Sequence, residues 1–160
     1  MAAVSGEDGL ARLARRLGRC RRLLVVCGPG CYPAPRPLAR GAEVLGEMAR
    51  YFHGILLLDE ECGQALLVDG DGAREGDAAS LGARFLRGGA DLGLAAGARL
   101  ESPEAAGAWA AAWRGGTWLA ELGPPSELAA LAREALRGDV DELLDRLWER
   151  FLNGSSSRQA

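Results

Sequence analysis

Lysine is missing from this sequence: every one of the 19 basic residues is arginine. His53, Thr117 and Asn153 are each the sole residue of their kind. Phosphate-gripping lysines, Schiff-base lysines and sites built from several histidines are therefore excluded. Cys20, Cys27, Cys31 and Cys62 form no CxxC pair, so no metal site is expected, and the thiols read as free or buried in a reducing compartment. No apolar run approaches the roughly 18 residues of a membrane span. With a formal charge of −3, nothing electrostatic draws the chain to nucleic acid or to an anionic membrane. The opening residues MAAVSGEDGLARLARR lack the apolar segment of a secretory signal, which points to an intracellular protein without choosing among cytoplasm, nucleus and mitochondrion.

What is present suits a globular core, since 48% of the 160 residues are apolar. Leu10, Leu13 and Leu17 recur at helical spacing within Glu7–Leu17. LLVV (Leu23–Val26) reads as a buried parallel strand running into Gly28-Pro29-Gly30, and a proline-rich loop follows. Helical period returns over Ala42–Phe52. Ile55–Leu58 and Ala65–Val68 are short apolar runs, either a hairpin or two neighbouring strands. Asp77–Leu86 reads as a helix and Asp91–Ala96 as a strand. Ser102 with Pro103 and Glu104 starts a helix that Gly115-Gly116 ends. Thr117–Glu121 is a further strand. The remainder is expected to be helical: Ser126 caps a stretch to Leu136, and Asp139 with Glu142 opens the last helix. The polar NGSSSRQA, residues 153–160, reads as a disordered tail after one domain over 1–152. Strands alternating with helices give a three-layer α/β architecture, with a mostly parallel sheet and helices on both faces.

Ligands of such sheets collect beyond the carboxyl ends of the strands. Gly28, Pro29 and Gly30, then Gly97, then Gly123 fall there, where glycine lets a phosphate approach backbone N–H groups. Arg99, just after Gly97, offers a planar guanidinium for phosphate. Arg40 is a second candidate contact. His53 reads either as a general base or as a lone histidine at a helix end. Trp109 and Trp113 lie four apart on an alanine-rich helix, as core packing or as anchors for a partner protein or homodimer.

Gly89–Phe151 resembles the carboxyl half of a sirtuin. Ala90-Asp91-Leu92, Gly97 with Leu100, Ala105-Ala106 and Glu121-Leu122-Gly123-Pro124 stand in the order of that family's motifs. Upstream, LLVVCGPGCYPAPRPLARG is similar to the sirtuin phosphate loop at Gly28, Gly30 and Arg40-Gly41. His53-Gly54 falls where the catalytic His-Gly dipeptide would stand, and the resemblance covers roughly residues 8–152. It implies a Rossmann-like domain that binds NAD or ADP-ribose. The family's Gln-Asn-x-Asp segment and its zinc module with paired cysteines have no counterpart here, so no zinc is expected. Arg99 replaces the loop serine, Gly123 the adenosine-side asparagine, Pro29 the small loop alanine and Tyr32 the neighbouring serine.

Without the groups that orient the nicotinamide and its ribose, a histidine alone does not supply the geometry on which the rate depends. The leading expectation is thus a catalytically degenerate nucleotide-binding or scaffold module. The alternatives are an active minimal NAD-dependent deacylase or ADP-ribosyl-transferring enzyme with His53 as base, and an assembly subunit of a larger complex without ligand.

Overall fold

A run such as Leu23–Cys27, with no polar residue to turn toward water, has to be covered on both faces. The computed structural model describes residues 6–28, 40–100, 102–124, 126 and 130–159, apart from the side chains of 6, 7, 40 and 155–159. In it, β1 (Leu23–Cys27) is fully buried at the middle of a seven-stranded sheet. The other strands are β2 (Ile55–Asp59), β3 (Gln64–Asp69), β4 (Gly72–Asp77), β5 (Leu92–Ala96), β6 (Trp118–Leu122) and β7 (Glu134–Leu136). Their order across the sheet is β4-β3-β2-β1-β5-β6-β7. Five strands, β2, β1, β5, β6 and β7, are parallel, with Leu23 in register with Ile55 on one side and Leu92 on the other. β3 and β4 run antiparallel at one margin.

Alternate residues of each strand serve opposite faces. Leu23, Val25 and Cys27 pack with α1 (Gly6–Arg19), α2 (Arg40–Tyr51) and α5 (Val140–Gln159), through Leu13, Leu45, Met48, Leu144 and Leu147. Leu24 and Val26 face α3 (Ala78–Arg87) and α4 (Pro103–Arg114), through Leu81, Phe85 and Trp109. The three-layer α/β expectation is therefore met. The caps are local chemistry. Ser102 Oγ accepts from the Ala105 amide at 3.1 Å, Asp77 Oδ1 from Ser80 at 2.9 Å, and Asp139 Oδ2 from Glu142 at 3.0 Å.

Of the two arrangements open for Ile55–Leu58 and Ala65–Val68, the structure has the antiparallel hairpin. Three segments depart from the sequence expectations, the first being β4, which extends this hairpin and was not expected. The GAREGD of β4 has no buried residue and so no apolar alternation to betray it. Ser126 caps no helix reaching Leu136: its hydroxyl bonds Glu121, and Glu134–Leu136 is a strand beside β6. Helix-favouring residues are overridden there by sheet pairing and by burial of Glu134, which Arg12 holds at 2.7 Å. Finally, α5 continues past Leu152 to Gln159, because Gly154 does not take the positive φ that would end it.

Candidate functional site

From β1 the chain crosses to β2 on one side, and its later return puts β5 on the other. The carboxyl ends of β1 and β5 thus flank a topological switch point, the place where open α/β sheets hold ligands in a crevice. The floor of this crevice is backbone. Gly28 N–H donates to Ala96 O at 2.9 Å, and Gly97 N–H donates to Leu122 O at 2.9 Å. A Cβ on Gly28 would stand 1.9 Å from Gly97 O, and one on Gly123 would stand 3.6 Å from Gly97 Cα. Gly97 and Gly123 have φ of 65° and 125°, which suit glycine. The structure therefore brings together Gly28, Gly97 and Gly123 from three separate strands. Pro29 and Gly30 lie outside the described residues. Arg40 opens α2, and its side chain is likewise not described.

Arg99 stands on the same edge, exposed, and its guanidinium makes no ion pair or hydrogen bond among the described residues. Its backbone amide is engaged instead: it donates to Glu60 Oε1 at 2.7 Å. Glu60 follows the last residue of β2 and is buried. Its own amide donates to Cys27 O at 3.1 Å, so its side chain reaches over the end of β1 to the β5 loop. Two further carboxylates line this edge. Glu121, 2% exposed, is paired with Arg137 and Ser126, and Arg137 also donates to Gly123 O at 3.3 Å. Asp141 Oδ1 accepts from the Gly41 amide at 3.0 Å and so occupies the positive amino end of α2. Glu121 belongs to the sirtuin-like Glu121-Leu122-Gly123-Pro124 stretch, whereas Glu60 and Asp141 stand out in no motif of the sequence. The Asp59-Glu60-Glu61 run after an apolar strand was the available signal for the first, but its reach to Arg99 is tertiary.

His53 is not part of this group. It precedes β2, is exposed, and lies at the amino edge of the sheet, where Gly54 O accepts from Leu23 N–H at 2.9 Å. β2 separates it from the crevice by about 13 Å at roughly 3.3 Å per residue. His53 is thus not brought together with Gly28, Gly97 and Gly123, because the turn that carries it enters β2 rather than leaving it. Asp91, one of the sirtuin-like motif residues, is also at that edge. It accepts from the Arg21 and Arg22 amides, each at 2.9 Å, which is a structural task.

The expected interface helix is divided. Trp109 is 1% exposed and belongs to the core, whereas Trp113 is 51% exposed. Trp113 lies in the last turn of α4, and of the two it alone presents its ring to the surface.

Among the described residues, no three or more His, Cys, Asp or Glu side chains are grouped to hold a metal ion. Cys20 and Cys27 flank β1 at opposite ends, so they do not form the paired arrangement of a zinc module. Burial, with Asp91 nearby, pushes the Cys20 thiol up to about 12. The folded state thus favours the protonated thiol. That stabilisation is full below the ordinary 9.0 and is lost as pH rises toward 12. Iodoacetamide at pH 8 is expected to alkylate exposed Cys62 in the native protein while sparing Cys20 and buried Cys27. Peptide mass spectrometry reads this, and equal labelling of Cys20 would show that its burial is not maintained.

No family model and no curated protein sequence matches the chain. Solved structures do. A Sir2 enzyme superimposes with a TM-score of 0.60 at 12% identity, over 93% of this chain and 99% of that one. A Sir2 homologue in complex with ADP-ribose gives 0.60 at 14%, over 91% and 97%. The Vibrio vulnificus NanR protein complexed with ManNAc-6P gives 0.60 at 18%, over 96% of this chain but 56% of that one. The domain is thus sirtuin-like in fold, with a Rossmann-like sheet. Identities this low establish the fold and nothing beyond it.

Among the described residues, no helix is long and apolar enough to cross a membrane.

Proposed function

We propose that this domain binds the ADP-ribose part of NAD, or ADP-ribose itself, at the crevice between β1 and β5 and does not turn it over. The observation that carries this is the convergence of Gly28, Gly97 and Gly123 at the switch point, beside an exposed Arg99 guanidinium that has no ion pair among the described residues. Backbone close to a ligand, with a cation at the mouth, suits a diphosphate. The Sir2 homologue was solved in complex with ADP-ribose and NanR in complex with ManNAc-6P, two phosphorylated sugars, which supports the same ligand chemistry. The non-catalytic part of the reading rests on His53 standing at the opposite edge and on the absence of an internal asparagine.

ADP-ribose is expected to raise the melting temperature progressively with the logarithm of its concentration. Arg99→Ala should weaken binding about tenfold, below the full value of a charge-assisted bond because the side chain is exposed. His53→Ala should leave the affinity unchanged, and NAD should release no nicotinamide. No thermal shift at millimolar ADP-ribose would leave the domain as an assembly module. A shift with ManNAc-6P alone would replace the nucleotide by a sugar phosphate.

A further inference from the structure

We propose that Glu60 is a built-in competitor for the ligand's anion, a latch that the incoming diphosphate has to displace; this rests on the nucleotide reading above. Glu60 is pinned by its backbone to the end of β1, through its amide and Cys27 O. From there its carboxylate spans to the β5 loop and takes the Arg99 amide at 2.7 Å. That loop is bracketed by Gly97 and by Leu100, whose φ of 54° is unusual for a residue with a side chain. The turn thus presents the Arg99 amide at the switch point, and a side chain of the same protein already holds it.

A carboxylate and a phosphate make the same demand on a backbone amide, since each accepts a charge-assisted hydrogen bond from it. They cannot share one N–H at full strength, and two anions side by side repel in a partly buried site. Glu60 is 7% exposed, so solvent does little to relieve that repulsion. Ligand affinity is therefore set by the exchange of one anion for another, not by an open amide. The Arg99 guanidinium stays available throughout, and it supplies the first contact from which the exchange proceeds.

The experiment is calorimetric titration of ADP-ribose into the wild-type chain and into Glu60→Gln. Glutamine keeps the shape and still accepts from the amide, but without charge, so it is expected to bind ADP-ribose about tenfold more tightly. In the wild-type protein, amide NMR should show the Arg99 N–H resonance shifting saturably with ADP-ribose, a readout independent of how the variant folds. Binding by wild type with equal or lower affinity in Glu60→Gln overturns the latch and leaves the nucleotide reading intact. An Arg99 amide that ignores bound ADP-ribose does the same. Failure of both proteins to bind overturns the nucleotide reading, and the latch with it.

Discussion

Gly28→Ala is expected to cost the fold roughly 3 kcal/mol, at the upper end of overpacking penalties. The new methyl would meet the Gly97 carbonyl oxygen at 1.9 Å and its carbon at 2.5 Å. Both atoms are backbone, and Gly97 is held by its own hydrogen bond to Leu122, so neither side can give without separating β1 from β5. Gly107→Ala supplies the contrast: nothing lies within 4 Å of its added Cβ, and it sits inside α4. Removing that glycine should stabilise the protein by about 0.5–1 kcal/mol through helix propensity and chain entropy. Urea unfolding measures both, as opposite shifts in midpoint at constant slope. Equal midpoints for Gly28→Ala and wild type would mean that the crevice floor is looser than the contact distances state.

Arg137→Ala is expected to cost about 2–3 kcal/mol. It strands the Glu121 carboxylate, 2% exposed at the end of β6, with Ser126 as its remaining named partner. Breaking a buried pair from one side typically costs about 3–5 kcal/mol, and the lower figure here reflects Arg137 being 38% exposed, so water can replace part of it. Adding Glu121→Gln should return much of the loss by removing the stranded charge, which makes the double-mutant cycle strongly non-additive. Additive losses in that cycle would show that Arg137 acts through its stem or through Gly123 O instead.

The parallel strands of this fold were legible because their residues had no alternative. LLVVC, ILLL, LGLAA and WLAEL carry too few polar groups to face water, and glycine or a cap residue marks their ends. β4 and β7 were illegible for the opposite reason. Both are margins of the sheet, where pairing on one side suffices and side chains are free to be charged or helix-favouring. The site divides the same way. Gly28, Gly97 and Gly123 could be read because they directly follow apolar strands. Glu60, Asp141, Glu121 and Arg137 could not, because what each side chain meets depends on strand order and on crossovers of tens of residues. His53-Gly54 matches a dipeptide in its letters, while where the chain stands there, entering β2, is set by topology.

The β3–β4 hairpin also decides how this molecule can meet copies of itself. Arg74 reaches Asp69 at 3.4 Å and Arg84 reaches Asp71 at 3.0 Å, so the outermost ribbon is dressed in opposite charges beside its open backbone. Another β-ribbon laid alongside would have to strip water from that lattice to extend the ladder by a few bonds. Growth of the sheet from that flank is thereby discouraged.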